Sequence, residues 1–540
     1  MPRESPRNPL LAVLAFASIA ATLAASSPPV PALPVSSPPP TAAEPAAPDA
    51  IAVLPSTTEP PAIGERQGEP PPATTFATVS PGALASFGAA FCAATPARPL
   101  VVVQLGDSHT AGGFMTTALA AALSPGQTTT PGYLAPRSTL SPWVTSTLSG
   151  RWLQGSWLRD HDGLSAAQSG PGGQVAVAPS KGPATVELRF RPAPPPTTPS
   201  IPPPATPSAE TAILPSPPTT SLPFGARVTL LHDPATPVPD DGLRIDGVAA
   251  VPIERTQTEF LARTTLALPP GTSRVTLDAR GTGLRFYGWV VGEPRAPVEV
   301  DAIGVVGVTV MQTEQRADRS LEDYLAWRRP DAVIVWLGTN DAVAPSDEYR
   351  KFDGAYGRWL DRLRAAAPQA SLVGVGPPDL DRRPAGCAAP VSRGRHRRGR
   401  LTREQLVDVV CRPEALPLGA KKTPPVPLPG VRTAADWARW VEACGNETVA
   451  TLPPVIAAER AAIEKRGGVF FDTFSWMGGA RSIRRFACLE PPLASLDLVH
   501  LKPEGYALLG AATADVLKSG ARCAPSNATV TPSPSPSPTP

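Results

Sequence analysis

The rest of the chain is organised around the segment Val101-Val-Val-Gln-Leu-Gly-Asp-Ser-His-Thr-Ala111. Its β-branched start fits a buried strand, and Gly106 and Asp107 then interrupt that strand. Residues 114–123 follow and are rich in helix-forming residues. Ser108 therefore lies between a strand and a helix, where helix-terminal N–H groups surround an exposed hydroxyl. This position suits a nucleophile.

The second half of the chain alternates between helical and strand patterns. Helices are predicted over residues 320–327, 348–367 and 504–517, and strands over residues 332–337, 371–375 and 468–472. The strand at 332–337 is a continuous apolar run, as expected for a parallel strand that is covered on both faces. Alternating strands and helices predict a mostly parallel sheet with helices on both sides.

Residues 150–300 have a different character, because apolar and polar residues alternate there with period two between Gly and Pro turns. Strands are predicted at residues 186–190, 226–231, 264–268, 274–278 and 284–291. We therefore predict an antiparallel β-sandwich inserted into the α/β domain, which itself comprises residues 85–149 and 301–522. Trp143, Trp152 and Trp157 near the start of the insert either fill its core, the commoner fate of tryptophan, or form a face for stacking on sugars.

The N-terminus is typical of an export signal. Arg3 and Arg7 precede an apolar run that ends in small residues, which predicts a signal peptide over residues 1–25; the alternative is an uncleaved membrane anchor. Residues 26–84 and 523–540 are dominated by Pro, Ala, Ser and Thr and are predicted to be a disordered linker and tail. We expect no membrane span after signal removal and a periplasmic, envelope-associated or secreted protein.

Charge and cysteine content narrow the function classes. The net charge of +3 and the lack of a basic domain with interleaved aromatics argue against nucleic acid as a partner. Six cysteines in an exported chain favour disulfides, although fifteen pairings are possible, and their spacing does not suggest a zinc site. The Arg- and Pro-rich segment at about 379–429 is either a solvated loop, which is favoured, or an attachment to an anionic surface.

Four separated pieces carry the candidate chemistry. They are Gly106-Asp-Ser-His-Thr110, Gly304-Val-Val-Gly307, Gly338-Thr-Asn-Asp341 and Asp497-Leu-Val-His500. Each follows a predicted strand or precedes a helix, so a parallel sheet can bring all four to its carboxyl edge.

The residue types in these pieces fit nucleophilic catalysis. The hydroxyl of Ser108 needs a general base, and His500 suits that role because Asp497 can orient its imidazole. The N–H groups of Ser108 and Gly307 and the side-chain amide of Asn340 can stabilise an oxyanion, each such donor being worth about 3 kcal/mol. A glycine at 307 would leave room for the acyl group.

Taken singly, these signals are ordinary. An Asp-x-x-His pair is often a cap, and a serine before a helix often only caps it. Their joint occurrence at strand ends is the informative feature. We assign Asp107 to holding the turn around Ser108, and His109 has either a structural role or a substrate contact.

The four pieces resemble blocks I, II, III and V of the SGNH (GDSL-type) hydrolase family, with Gly-Asp-Ser-His replacing Gly-Asp-Ser-Leu. The resemblance covers about 85–123 and 300–520. It implies a flavodoxin-like three-layer α/β/α fold and no metal or cofactor. The block II glycine is Gly304 or Gly307, and Val-Gly-Val-Thr favours Gly307.

The Gly-Asp-Ser-His-Thr form, the inserted β region and the export signal together resemble bacterial O-acetylesterases of the cell envelope that act on peptidoglycan and contain a carbohydrate-binding-like module. This resemblance predicts an exported serine esterase that removes O-acyl groups, in particular acetyl, from an envelope polysaccharide. The alternatives are a lipase or arylesterase, a polysaccharide O-acyltransferase with the same site, and a catalytically silent polysaccharide-binding protein.

Overall fold

The structure is a computed structural model. It describes residues 73–127, 130, 132–136, 148–155, 158–159, 169–190, 226–292, 296–316, 318–344, 346–382, 407, 410–411, 447–521 and 523. The predicted signal peptide, the basic run around residue 396, Trp143, Trp157 and the C-terminal repeat lie outside these residues. Within them, none of the helices combines the length and the apolar character that a membrane crossing requires.

The strands are β1 (Ala77–Thr78), β2 (Leu100–Gly106), β3 (Gly132–Leu134), β4 (Leu148–Gly155), β5 (Leu158–Arg159), β6 (Ala176–Val177), β7 (Ala184–Phe190), β8 (Arg227–His232), β9 (Leu243–Ile245), β10 (Val248–Ala249), β11 (Glu254–Gln257), β12 (Ala262–Ala267), β13 (Arg274–Asp278), β14 (Arg285–Gly292), β15 (Val298–Gly304), β16 (Ala332–Trp336), β17 (Ser371–Val375), β18 (Asp381–Arg382), β19 (Glu447–Thr448) and β20 (Val469–Phe471). The α-helices are α1 (Ala85–Ala93), α2 (Ser108–Ala111), α3 (Phe114–Leu123), α4 (Val310–Gln315), α5 (Arg319–Arg328), α6 (Ser346–Ala366), α7 (Leu452–Glu464), α8 (Thr473–Trp476), α9 (Ser482–Ala487) and α10 (Pro503–Ser519). Short 3-10 helices cover Ala73–Phe76, Pro171–Gly173 and Asp341–Val343.

The α/β domain is organised around a six-stranded sheet in the order β1-β20-β17-β16-β2-β15. The last five strands are parallel, and β1 adds antiparallel to β20 at the edge. In chain order, the parallel strands have the spatial order 2-1-3-4-5, which is that of flavodoxin-like sheets. The predicted fold class is confirmed.

Side chains on β2 explain the three layers, because successive residues of a strand point to opposite faces. Val103 and Leu105 pack in one core with α4, α5, α6 and α7, while Leu100 and Val102 pack in a second core with α1, α3 and α10. The sheet is therefore covered on both faces, as its continuous apolar strands require.

Residues between α3 and β15 form two antiparallel sheets. One has the order β10-β9-β13-β7-β4, and the other has the order β11-β12-β8-β14-β6-β5, with β3 paired to β14. The five predicted strands coincide with β7, β8, β12, β13 and β14. Val186, Leu188, Leu230, Leu277 and Trp289 are fully buried in the core that these sheets share.

The observed domain boundaries differ from the predicted ones by several residues. Ala73 and Leu84 are buried and β1 joins the sheet, so residues 73–84 belong to the folded domain and not to the predicted linker. In the same way β3 pairs with β14, and β15 begins at Val298 rather than after residue 300.

Two disulfides are present among the described residues. Cys92 of α1 pairs with Cys523, and Cys411 pairs with Cys488, which follows α9. The prediction that these cysteines form disulfides is confirmed for both pairs. Cys523 therefore belongs to the folded body and not to the predicted tail, whereas Cys387 and Cys444 lie outside the described residues.

Candidate active site

The turn after β2 places Ser108 at the start of a helix. Asp107 caps α2, since its Oδ1 accepts a hydrogen bond of 2.9 Å from the His109 N–H, and Ser108 is the first helical residue. Gly106 is required at the strand end, because a Cβ there would collide with the carbonyl oxygen of Trp336 on the neighbouring strand. As the sequence predicts, Asp107 holds the turn around Ser108.

The structure brings Ser108, His500 and Asp497 into one hydrogen-bonded chain. His500 Nε2 lies 2.9 Å from Ser108 Oγ, and His500 Nδ1 lies 2.8 Å from Asp497 Oδ2. The ring of His500 thus contacts the hydroxyl with one nitrogen and the carboxylate with the other. This is the arrangement in which a histidine can remove a proton from serine.

The loop before α10 fixes the acid and the histidine relative to each other. Asp497 Oδ1 accepts hydrogen bonds of 3.0 Å from the N–H groups of Val499 and His500. Leu498 between them has a left-handed φ of 58°, and its carbonyl accepts a hydrogen bond of 3.1 Å from the Asp381 N–H. The His500 side chain remains 39% exposed, so a substrate can reach it.

The two ionisable groups of this chain shift each other's pKa in opposite directions. The hydrogen bond that His500 donates to Asp497, opposed by partial burial, raises the pKa of His500 above its ordinary value. Partial burial disfavours the Asp497 carboxylate, but hydrogen bonds from the His500 ring and from two backbone N–H groups outweigh it and lower the pKa of Asp497. The pair therefore favours a charged aspartate beside a basic histidine.

Asn340, in the third of the four sequence pieces, donates hydrogen bonds to the turns that contain the first and second pieces. Its Nδ2 donates a hydrogen bond of 3.0 Å to Asp107 Oδ2 and another of 3.1 Å to the Val308 carbonyl oxygen. The amide thus links the turn beside Ser108 to the turn between β15 and α4. Both turns meet at the carboxyl edge of the parallel sheet.

The two candidate glycines of the β15–α4 turn are required for different reasons. Gly307 has a left-handed φ of 77°, and a Cβ there would meet nothing within 4 Å, so its conformation rather than a lack of space favours glycine. A side chain at position 307 would meet no protein atom, so our expectation that this glycine leaves room for the acyl group stays a prediction. Gly304 has no such freedom, because a Cβ there would overlap the backbone of Ala111 in α2.

His109 has a structural position and does not face substrate. It is fully buried, its Nδ1 lies 3.0 Å from the Tyr506 hydroxyl, and its ring stacks on Trp336 at 4.9 Å between centroids. Burial and the nearby His500 lower the pKa of His109 to about 3, which makes its imidazole too weakly basic to act as the general base. Tyr506 was not singled out by the sequence.

Buried carboxyl groups lie beneath the site. Burial raises the pKa of Asp107 to about 7, and burial, with repulsion from Asp341 and Asp107, raises the pKa of Glu459 well above its usual range. Glu459 is 1% exposed, and neither of its carboxyl oxygens has a hydrogen-bond partner among the described residues. Its spacing of four residues from Val455 and Ile463 on α7 was the available sequence signal that it lies on a buried face.

The described residues contain no group of His, Cys, Asp and Glu side chains that could hold a metal ion.

Comparison with protein families identifies the domain. Residues 276–508 match the GDSL-like lipase/acylhydrolase family. The chain carries an SGNH (GDSL-type) hydrolase domain. The match confirms the family that the sequence motifs predict and assigns the chain to the carboxylic ester hydrolases. Ser108 precedes the matched range, and the parallel pairing of β2 with β15 and β16 brings it to the site of the SGNH domain.

Three solved structures resemble this chain, and the first of them shares its fold. One titled "Peptidoglycan O-acetylesterase in action, 5 min" is 17% identical, with a TM-score of 0.53 over 83% of this chain and 100% of its own. A lipase/acylhydrolase from Enterococcus faecalis is 16% identical with a TM-score of 0.21, covering 42% and 80% of the two chains. A carbohydrate esterase family 2 enzyme from Corynascus thermopiles is 10% identical with a TM-score of 0.24, covering 68% and 99%. A search of curated proteins finds no match.

Proposed function

We propose that this SGNH hydrolase is an exported serine esterase that removes O-acyl groups, in particular acetyl, from an envelope polysaccharide such as peptidoglycan. The observation that carries the proposal is the hydrogen-bonded chain from Asp497 through His500 to Ser108, with distances of 2.8 and 2.9 Å. In this proposal Ser108 is the nucleophile, His500 is the general base, and Asp497 orients the imidazole and stabilises its charged form.

The reaction proceeds in two balanced halves. Ser108 Oγ attacks the ester carbonyl while His500 Nε2 takes its proton, and His500 then returns that proton to the departing sugar oxygen, leaving an acyl group on Ser108. In the second half, water gives a proton to His500 and attacks the acyl carbonyl. Collapse of this second intermediate releases the carboxylic acid, and the proton returns to Ser108 Oγ.

Each half passes through an oxyanion, for which we propose the N–H groups of Ser108 and Gly307 and the amide of Asn340 as donors. The Ser108 N–H belongs to the first turn of α2, where backbone N–H groups lack helical partners. Asn340 Nδ2 already donates to Asp107 and to Val308. In the reaction, one of these amide hydrogens is shared with the oxyanion.

One observation supports a polysaccharide ester as substrate, and two support export. The solved peptidoglycan O-acetylesterase aligns over 83% of this chain, a share larger than the SGNH part alone. The N-terminal sequence has the pattern of an export signal. The two disulfides fit an oxidising compartment outside the cytosol.

Two other functions use the same residues. A lipase or arylesterase would act on a different ester, and an O-acyltransferase would pass the acyl group to a sugar hydroxyl instead of water. A silent polysaccharide-binding protein has no need for a base within hydrogen-bonding distance of Ser108. Acetate release separates these possibilities.

The test uses purified full chain with O-acetylated peptidoglycan and, in parallel, 4-nitrophenyl acetate. The wild type is expected to release acetate from both, and Ser108→Ala is expected to release none above background. Hydrolysis of 4-nitrophenyl acetate without acetate release from the polymer would contradict the proposed polysaccharide substrate. A wild type that hydrolyses neither ester above background would contradict the proposed esterase activity.

A further inference from the structure

The β region between α3 and β15 shares a core with the SGNH domain. Leu231, Leu261, Tyr287 and Val290 of this region are buried in the same apolar cluster as Ile303 of the parallel sheet. A module tethered only for binding has no need of such a common core. The position of the β region is therefore fixed relative to the edge of the sheet that carries the site.

One loop of the β region, residues 169–175, lies against the end of β15, and we call it the docking loop. The Gln174 side chain is 2% exposed, and its Nε2 donates a hydrogen bond of 3.0 Å to the carbonyl oxygen of Gly304, the last residue of β15. The Gly173 N–H donates a hydrogen bond of 3.1 Å to Asp318 Oδ2, just before α5. The loop is thus attached to the end of β15 and to the residue before α5, and the β15–α4 turn lies between these two points in the chain.

The docking loop approaches β15 closely at Gly172. Gly172 has a left-handed φ of 75°, and a Cβ on it would lie 2.7 Å from Ile303 Cγ2, closer than such carbons approach. A residue with a side chain would therefore have to push the loop and the strand end apart.

The residue that Gln174 holds lies against the segment that carries Ser108. Gly304 packs against the backbone of Ala111 in α2, the helix that Ser108 begins, and the next residue, Val305, donates a hydrogen bond of 2.9 Å to the Gly106 carbonyl oxygen. Gly307 follows only three residues after Gly304. A shift of the Gly304 carbonyl would therefore move the Gly307 N–H relative to Ser108.

We infer that the docking loop positions the oxyanion-binding turn, and that Gln174 is a positioning residue for the reaction although it belongs to the β region. The inference rests on the proposed esterase function. It gives the β region a part in catalysis that is independent of any sugar binding. Because the oxyanion forms only during the reaction, loss of this support should lower kcat and leave KM nearly unchanged.

The test compares two pairs of variants in the full chain. Gln174→Glu keeps the shape of the side chain but removes its amide donor, and its control is Thr229→Val, which removes a buried hydrogen bond to Thr265 within the β region. Gly172→Ala adds a Cβ against Ile303, and its control is Gly271→Ala, where φ is 78° and a Cβ would meet nothing within 4 Å. Thr229→Val controls for the loss of a buried hydrogen bond within the β region, and Gly271→Ala controls for a side chain at a left-handed φ.

We expect Gln174→Glu and Gly172→Ala to lower kcat for 4-nitrophenyl acetate about 10- to 100-fold with KM changed less than about twofold, as displaced catalytic groups do. Both controls should keep kcat within about twofold at similar melting temperatures. If Gly172→Ala does not fold, the Gln174→Glu pair decides.

Other outcomes overturn the inference in distinguishable ways. The wild type could be active while the Gln174→Glu and Thr229→Val variants have the same kcat. That result would contradict the positioning role and leave the esterase function standing. A raised KM with an unchanged kcat would also contradict the positioning role. A wild type no more active than Ser108→Ala would remove both proposals together.

Discussion

His500 Nε2 lies 2.9 Å from Ser108 Oγ, although 392 residues separate the two in the chain. The parallel sheet makes this contact possible, because β2 delivers Ser108 to its carboxyl edge and the loop before α10 delivers His500 to the same edge. Asp497, three residues before His500, completes the chain without any further element. The predictions below follow from this geometry and its surroundings.

The pH dependence of hydrolysis should report His500. The base acts only when neutral, and its hydrogen bond to Asp497 raises its pKa, so kcat/KM should rise with pH with a midpoint above the ordinary histidine value of about 6.5. Asp497→Asn should move this midpoint to lower pH and reduce kcat roughly 10³- to 10⁴-fold. The exposed Asp515 offers a control, since Asp515→Asn should leave the profile unchanged. An unchanged midpoint in Asp497→Asn would contradict the proposed effect of Asp497 on the pKa of His500.

Loss of the Asn340 amide should affect both rate and stability. Asn340→Ala removes a proposed oxyanion donor, which typically costs about 10²- to 10³-fold in kcat, and it leaves the buried Asp107 without one of its donors. Gln312→Ala is a suitable comparison, because that amide belongs to the capping box of α4. It should lower the melting temperature but keep kcat within about twofold. Equal kcat values for the two variants would contradict the role of Asn340.

Glu459 should make the protein less stable as pH rises. Its folded-state pKa lies above its unfolded-state value, so folding retains a proton that the unfolded chain releases above about pH 4.5, and the free energy of unfolding falls with pH by at most about 1.4 kcal/mol per unit. Glu459→Gln removes this titration. Urea unfolding at pH 5 and pH 8 should show the variant gaining stability over the wild type as pH rises. Glu464→Gln, on a partly exposed position of the same helix, should show no such trend.

The disulfides should contribute unequally to stability. Cys92–Cys523 spans 431 residues and Cys411–Cys488 spans 77, and a longer loop loses more entropy in the unfolded chain when it is closed. Removal of the first pair by Cys92→Ser and Cys523→Ser should therefore lower the free energy of unfolding more, within the usual range of about 2–5 kcal/mol. Thermal unfolding of both double variants measures the difference. A larger loss from the second pair would contradict the loop-entropy argument.

Local patterns explain which elements are predictable from the sequence. The apolar run at residues 332–337 and the one-sided apolar spacing at 348–367 predict β16 and α6 because each segment carries its own burial pattern. In contrast, both residues of β10 are exposed, and three of the four residues of β11 are exposed. These two strands are held by pairing with their neighbours, so they lack the alternation that signals a strand.

The same distinction applies to the site. Ser108, Asn340, Asp497 and His500 are brought together as the motif order implies, because each follows a strand or precedes a helix that the sequence predicts. Gln174 and Glu459 were not predicted, since their positions depend on packing between distant segments. A glutamine that supports Gly304 from another sheet has no local sequence signal.

The most direct test of the central claim is the identity of the acylated residue. We would mix the wild type with 4-nitrophenyl acetate, quench in acid within the first turnover, and locate the acetyl group by peptide mass spectrometry. The account predicts one acetyl group on Ser108, and none at that position in Ser108→Ala or after turnover is complete. An active enzyme whose acetyl group lies on another residue, or whose Ser108→Ala variant keeps full activity, would contradict it.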